Sequence, residues 1–130
     1  MIIFDTETTS LDAKTGQIAQ LSYIKLDDKQ EVQFSKNFYF RVDFMDPGAM
    51  QANGLNVKLL EKLSEGKVFE DFSDEIYNDF VNAKLLIAHN FEFDKGFLFE
   101  EFRRLNFDTS KLEEIEHFCT MQYYTDILAI

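Results

Sequence analysis

The sequence has little of what marks a disordered, secreted or membrane-spanning chain. Its 130 residues include one proline, five glycines and one cysteine, and they contain no low-complexity run. The single cysteine, Cys119, cannot form an internal disulfide, which indicates a reducing compartment. No apolar run approaches the length that crosses a bilayer, and the N-terminus lacks the basic and apolar regions of a signal peptide. We therefore expect a cytoplasmic protein without a membrane partner.

Basic residues are also scarce. The chain has 13 Lys and Arg residues against 24 Asp and Glu residues, for a formal net charge of −11. This is the wrong sign for a protein that holds long duplex nucleic acid by neutralising phosphates. It still allows a site that binds cations through carboxylates and holds only the last few nucleotides. The charge predicts weak non-specific binding of nucleic acid.

What is present predicts one α/β domain. Hydrophobic residues make up 45% of the chain and include fifteen phenylalanines, enough for one core. Apolar and alternating segments predict strands at 1–4, 17–26, 31–42, 84–88 and 115–120, and helical spacing predicts helices at 57–63, 69–80, 93–105 and from 121 onward. The segment 43–56 contains Pro47, Gly48 and Gly54 and predicts a loop. An antiparallel hairpin followed by helix-connected strands is expected.

Two acids follow the first predicted strand. In an extended chain Asp5 and Glu7 point to the same face, where their carboxylates repel each other unless a positive charge lies between them. Mg²⁺ and Mn²⁺ prefer carboxylate oxygen, so the pair indicates a cation site. The alternative is a solvated strand end with two exposed acids.

A third acid, Asp94, stands in the first turn of the helix that follows strand 84–88. By itself it is explained by the helix dipole, which favours an acid there. Ligands in α/β sheets bind in the crevice beyond the carboxyl ends of the strands. We therefore predict that Asp94 converges with Asp5 and Glu7 on a common cation site.

The two segments that carry these acids resemble known motifs. Asp5-Thr6-Glu7-Thr8-Thr9-Ser10-Leu11 resembles the first motif of the DEDD 3′→5′ exonucleases, which include the proofreading epsilon subunits of bacterial DNA polymerase III. The segment Ile87-Ala88-His89-Asn90-Phe91-Glu92-Phe93-Asp94 resembles the second motif. Residues 43–56 are similar to the loop between the motifs, and Phe118-Cys119-Thr120-Met121 is similar to the segment after the second. The resemblance implies a ribonuclease H-like fold, with a mixed central sheet flanked by helices.

The resemblance also implies an activity and its residues. The expected reaction is two-metal hydrolysis, with Mg²⁺ or Mn²⁺, at the 3′ end of single-stranded DNA or RNA, releasing nucleoside 5′-monophosphates. Asp5, Glu7 and Asp94 match catalytic metal-ligand positions. Thr8 and Leu11 match positions that meet the terminal nucleotide, and Asn90 and Phe93 are expected to shape its pocket. Phe93 and Leu11 should border an exposed pocket, whereas Phe97 and Phe102 should be buried.

The chain departs from the family pattern in its histidines. The third motif supplies a histidine general base and a fourth aspartate, and neither His89 nor His117 fits that position. We therefore interpret residues 1–130 as an exonuclease domain truncated before the third motif and inactive alone. Smaller departures are Ser10 in place of a frequent glycine, and Gly48 and Asn53 in place of an acid and a histidine.

Other functions and partners stay open. The alternative is a non-catalytic nuclease-like module that binds nucleic acid or a protein partner. Phosphatase chemistry is a weaker third reading, because it needs a second Asp where this chain has Glu7. Expected protein partners are a DNA polymerase subunit, or a second copy of the chain that contacts the apolar residues Ile127 to Ile130.

Overall fold

Five strands pair in the order β3-β2-β1-β4-β5 in the computed structural model, which describes residues 1–128 apart from the side chains at 124 and 126–128. The strands are β1 (Ile2–Thr8), β2 (Ile18–Leu26), β3 (Val32–Tyr39), β4 (Leu85–Ala88) and β5 (Glu116–Cys119). β2 is antiparallel to both β1 and β3, and β4 runs parallel to both β1 and β5. The predicted mixed sheet is confirmed.

Six helices are described. They are α1 (Pro47–Asn53), α2 (Val57–Leu63), α3 (Phe69–Val81), α4 (Phe91–Arg104), α5 (Ser110–Glu113) and α6 (Thr120–Leu128). The predicted loop at 43–56 is wrong for its middle part, because α1 lies inside it. Pro47 occupies the start of this helix, where its missing N–H costs nothing, and Gly54 ends it in the left-handed conformation. The short helix α5 was not expected from the sequence.

The core lies between one face of the sheet and the helices α3 and α4. Phe4 of β1 packs edge-on against Phe80 of α3 and Phe91 of α4, with ring centroids 5.2 and 6.0 Å apart. Phe97 and Phe102 of α4 are buried, as the helical spacing predicted. Because residues of β1 alternate between the two faces, Ile2 and Phe4 are buried while the residues between and after them are exposed.

Candidate active site

β1 extends well beyond its parallel neighbour. β4 pairs with it only at Ile2 and Ile3, and then the chain leaves the sheet and enters α4 at Phe91. On its other side β1 stays paired with β2, so that Asp5 lies opposite Ser22 and Glu7 opposite Gln20. The acids therefore lie within the strand and not at its end, which corrects the predicted boundary at Phe4. The length mismatch leaves the acidic half of β1 open on the side from which α4 begins.

Asp94 reaches this open part of β1 from the first turn of α4. Its side chain is buried and accepts a 2.5 Å hydrogen bond from the Thr6 hydroxyl. Burial, together with the nearby charges of Asp5 and Glu7, raises the pKa of Asp94 to about 6 against the opposing effect of the Thr6 hydrogen bond. The charges of the three acids thus act on one another.

Asp5 and Glu7 share one face of the strand, as predicted, but they border different cavities. Burial and then the charge of Asp5 raise the pKa of Glu7. Asp5 lines a shallow cavity on the open face of the sheet, whereas Glu7 lines a pocket next to α1 and α4. Asp94 contacts β1 through Thr6, which belongs to the opposite face of the strand from Asp5 and Glu7.

Asp94 thus contacts β1 on the opposite face from Asp5 and Glu7. Among the side chains that the structure describes, no three His, Cys, Asp or Glu residues are arranged to hold a metal ion. The common cation site of Asp5, Glu7 and Asp94 therefore stays a prediction.

The donor chemistry of the three acids nevertheless suits a hard cation. The ion pairs among the described residues join Lys36 to Glu75 and Asp79, Lys95 to Glu113, Arg103 to Glu100 and Arg104 to Glu101. No Lys or Arg in that part of the chain forms an ion pair with Asp5, Glu7 or Asp94. Three mutually repelling carboxylates without a cationic side chain fit the oxygen-ligand preference of Mg²⁺ or Mn²⁺.

A pocket of about 560 Å³ lies beside Glu7. Its walls come from β1, the following loop, α1 and α4, and are formed by Thr6, Glu7, Thr8, Ser10, Leu11, Asp46, Pro47, Gly48, Ala49, Ala52 and Phe93. Leu11 is 88% exposed, and Phe93 is half-buried with its ring centroid 5.1 Å from that of Phe97. The predicted placement of Leu11 and Phe93 at an exposed pocket is confirmed. Their role in nucleotide binding stays a prediction.

Thr8 is among the residues that line the pocket, and Asn90 is outside that set. Thr8 lines the pocket, where its buried hydroxyl donates a 2.7 Å hydrogen bond to the Ser10 carbonyl. Asn90 is not among the residues that line the pocket, and its part in shaping a nucleotide site stays a prediction. It is exposed at the N-cap position of α4, and its side chain makes no capping hydrogen bond there. The motif specifies the position of Asn90 in the sequence but not the direction of its side chain.

The α1 wall of the pocket was missed in the sequence. Asp46, Ala49 and Ala52 come from the segment predicted as a loop, and Asn53 ties α1 to the acidic strand by donating a hydrogen bond to the Thr8 carbonyl at 3.3 Å. The signal was present, since a proline and a glycine seven residues apart can mark the first turn and the C-terminal cap of one short helix.

Neither histidine lies among the acids. His89 is exposed and its Nδ1 lies 2.9 Å from the Thr120 hydroxyl. The His117 ring stacks on Phe91 with centroids 4.4 Å apart. Neither residue lines the pocket or perturbs the pKa of Glu7 or Asp94. Both positions agree with the sequence interpretation that neither histidine is the general base.

Comparisons with known proteins point in one direction. A family model described as Exonuclease matches residues 2–129. The DNA polymerase III subunit epsilon of Haemophilus influenzae is 30% identical over 112 residues, covering 81% of this chain and 42% of the relative. A PolC-type DNA polymerase III of Oceanobacillus iheyensis is 28% identical over 108 residues, covering 82% of this chain and 7% of that protein. The chain thus spans less than half the length of these two relatives.

Solved structures share the fold. E. coli exonuclease I in complex with a dT13 oligonucleotide superposes with a TM-score of 0.88 and 19% identity, covering 98% of this chain and 29% of that one. At this identity the match shows a shared fold, and it agrees with the predicted ribonuclease H-like architecture. Separately, none of the helices described here is both long and apolar enough to traverse a bilayer.

Proposed function

The chain belongs to this exonuclease family, and on that premise we propose that it removes nucleotides from the 3′ end of single-stranded DNA or RNA. The products would be nucleoside 5′-monophosphates. The observation that carries the proposal is the pocket of about 560 Å³, which joins an acidic strand to two apolar side chains, Leu11 and Phe93. Its volume falls within the usual range for small-molecule sites. A base can contact the apolar walls while its phosphate lies toward the acids.

We propose that Asp5, Glu7 and Asp94 hold two divalent cations, Mg²⁺ or Mn²⁺. Bound cations would supply activation of water and stabilisation of the leaving 3′ oxygen. The residues of the chain would have their own parts: Leu11 and Phe93 would orient the base, Thr8 would offer its backbone, and the acids would hold the cations next to the scissile phosphate. The support is the uncompensated charge of the acids, which acts on the pKa values of Glu7 and Asp94.

We further propose that residues 1–130 have little activity alone. Hydrolysis needs a base for the proton of water, and a positioned general base typically contributes about 10²–10⁴-fold. His89 and His117 are engaged outside the pocket, with Thr120 and Phe91 respectively. The same observation favours the second candidate function, a non-catalytic module that binds the 3′ end without cutting it.

The proposed partners are the 3′ end of a single strand and a DNA polymerase subunit, in a cytoplasmic location. Relatives named as subunits of DNA polymerase III support the polymerase partner. A homodimer is the other proposal, and Phe118 and Met121, each about 40% exposed, offer apolar surface for it. The residues first expected to carry that contact, the side chains at 127–128 and residues 129–130, lie outside the described part of the chain.

Cation-dependent binding separates these functions from an unrelated role. We expect Mn²⁺ to promote binding of a 3′-labelled single-stranded oligonucleotide by the wild-type chain. Asp5→Asn and Asp94→Asn should remove this effect, whereas Asp28→Asn, at the exposed turn before β3, should leave it intact. Equal cation-dependent binding by all four proteins would contradict the proposed site.

Release of nucleoside 5′-monophosphates then distinguishes catalysis from binding. Residues 1–130 should release them slowly in the presence of Mn²⁺, and a longer protein that contains these residues and supplies a general base should release them far faster. Robust release by residues 1–130, abolished by Asp5→Ala, would show that the general base lies within this chain. Cation-dependent binding with no detectable release would favour the non-catalytic module.

A further inference from the structure

A guanidinium at the end of α4 holds the loop that follows the acidic strand. Arg104 donates from Nη2 to the backbone carbonyls of Ala13 at 2.8 Å, Gly16 at 2.9 Å and Lys14 at 3.3 Å. These carbonyls belong to residues 9–17, which connect β1 to β2 and are called here the β1–β2 loop. A charged donor strengthens such hydrogen bonds relative to neutral ones. One side chain thus fixes three peptide groups of this loop.

Glu101 completes the attachment from one turn earlier on the same helix. It is buried, and its Oε2 accepts a 3.0 Å hydrogen bond from the backbone N–H of Ile18, where β2 begins. Its Oε1 lies 3.3 Å from Nη1 of Arg104. Burial raises the pKa of Glu101, while the Ile18 N–H and Arg104 oppose that shift. A buried carboxylate is costly without such partners, so its contacts with the backbone and with Arg104 keep it in place.

The loop also packs closely against α4 at Gly16, next to Phe97. A Cβ added at Gly16 would lie 2.5 Å from the Ser10 hydroxyl and 2.9 Å from a ring carbon of Phe97. Such distances are too short for any side chain without movement of the backbone or of the buried Phe97. Gly16, Glu101 and Arg104 therefore fix the position of the β1–β2 loop on α4.

The position of Leu11 depends on this attachment of the loop to α4. It lies in the same loop but is 88% exposed, so little packing of its own holds it. Across the pocket stands Phe93, eleven residues before Arg104 on α4, or about 16 Å along the helix axis. The spacing between the two apolar walls is thus set by how the loop attaches to the far end of the helix that carries the other wall.

We propose that Arg104 and Glu101 are positioning residues, which set the affinity of the pocket for a nucleotide by fixing Leu11 opposite Phe93. Neither residue lines the pocket. The proposal rests on the proposed function, because it takes the ligand to be a nucleotide 3′ end.

The matched control lies next to Arg104 on the same helix. Arg103 forms an ion pair with Glu100 at 2.9 Å, with the same spacing of three residues, but it contacts no loop carbonyl among the described hydrogen bonds. The variants are therefore Arg104→Gln, Arg104→Lys, Glu101→Gln and, as the control, Arg103→Gln. Amide hydrogen exchange at residues 13–18 measures attachment of the loop, with the amides of α3 as the reference for global opening. Titration with thymidine 5′-monophosphate and Mn²⁺ measures the pocket.

We expect Arg104→Gln to speed exchange in the loop by tenfold or more and to weaken thymidine 5′-monophosphate binding by roughly tenfold, consistent with the loss of charged hydrogen bonds. Exchange in α3 should not change, Arg104→Lys should recover part of both effects, and Arg103→Gln should match the wild type. Should Arg104→Gln fail to fold, Arg104→Lys and Glu101→Gln give the same comparison.

Three outcomes would overturn the proposal. Faster loop exchange with unchanged nucleotide affinity would make the attachment structural only. Unchanged exchange would show that Arg104 does not hold the loop, and equal weakening by Arg103→Gln would indicate a general effect of charge. A wild-type chain that binds no mononucleotide would overturn the proposed function and the positioning role together, whereas failure of the positioning role alone leaves wild-type binding intact.

Discussion

Asp94 is buried, accepts a hydrogen bond from Thr6 and lies near the negative charges of Asp5 and Glu7. Its pKa in the folded chain is about 6, above the roughly 3.9 of a free Asp. The folded state therefore binds the proton more tightly than the unfolded state. The stability gained in this way is fully present below about pH 4 and is lost as the pH rises through about 6.

This sign predicts that Asp94→Asn stabilises the chain at high pH when divalent cations are absent. A shift of about two pKa units corresponds to roughly 2–3 kcal/mol in the free energy of unfolding. The gain should be present at pH 8 and nearly absent at pH 4. Urea denaturation in EDTA at several pH values measures it, with Asp28→Asn as the control. Unfolding free energies of wild type and Asp94→Asn that stay parallel from pH 4 to pH 8 would contradict the assignment.

Leu11 should contribute to binding and not to stability. Because it is 88% exposed, Leu11→Ala should change the free energy of unfolding by no more than about 0.5 kcal/mol. Loss of its apolar contact should weaken mononucleotide binding by roughly 5- to 10-fold, as expected for about 1–1.4 kcal/mol of lost apolar burial. Val32→Ala, at an exposed residue of the edge strand β3, is the matched control for both measurements. Equal affinities of Leu11→Ala and wild type would remove Leu11 from the site.

At this scale the sequence predicted the residues of the motifs better than their surroundings. Asp5, Glu7 and Phe93 were found because a motif specifies residue type and order. The hydrogen bond from Thr6 to Asp94, and the one from the Ile18 backbone N–H to Glu101, join groups 88 and 83 residues apart in sequence. No local pattern encodes such a pair, so these contacts could not be predicted.

The helix α1 shows why boundaries were harder to predict than element types. Pro47 and Gly54 are frequent in loops, but they are equally suited to the first position and the C-terminal cap of a helix. With only seven residues and no buried side chain, α1 has no apolar stripe that would reveal it. β1 was predicted too short for the opposite reason: its acidic half looks like a strand end but stays paired with β2 as far as Thr8.

Two glycines of α1 should respond to alanine in opposite directions. Gly54 has φ of 72°, a conformation that is strained for alanine, although a Cβ there would meet open space. Gly54→Ala should therefore destabilise the chain by about 1 kcal/mol. Gly48 lies in the first turn with a helical backbone and also meets nothing within 4 Å, so Gly48→Ala should stabilise by about 0.5–1 kcal/mol. Chemical denaturation of both variants tests this, and shifts of the same sign would contradict the helical assignment of α1.

At the scale of the whole molecule, the sheet order and the net charge act on the site together. The hydrophobic pattern was sufficient to predict five strands with an antiparallel start, because the apolar runs of β1 and β4 and the alternation in β3 are strong local signals. The side-chain geometry of the acids was not predictable, since it depends on where α4 begins relative to the longer strand β1. The net charge of −11 adds general repulsion to that of the three acids.

This combination predicts two separable effects of cations on stability. NaCl should raise the melting temperature of wild type and of Asp5→Asn alike, because it screens the general repulsion. Mn²⁺ at equal ionic strength should add a further gain in the wild type only. At ten times its dissociation constant, a ligand specific for the folded state adds about 1.4 kcal/mol, or roughly 3–5 °C for a domain of this size. EDTA should reverse the additional gain in melting temperature from Mn²⁺.

The pH dependence of this additional gain makes the prediction specific. Carboxylates bind metal in their ionised form, and burial and its neighbours keep Asp94 protonated up to a pKa of about 6. The additional rise in melting temperature from Mn²⁺ should therefore be small at pH 5 and complete at pH 7.5. The rise from NaCl should be present at both pH values. Asp28→Asn should behave as wild type, since an exposed acid at the far turn contributes only to the general repulsion. An Mn²⁺ effect equal to that of NaCl at pH 7.5 would mean that the three acids, despite their mutual repulsion, do not hold a cation in this chain.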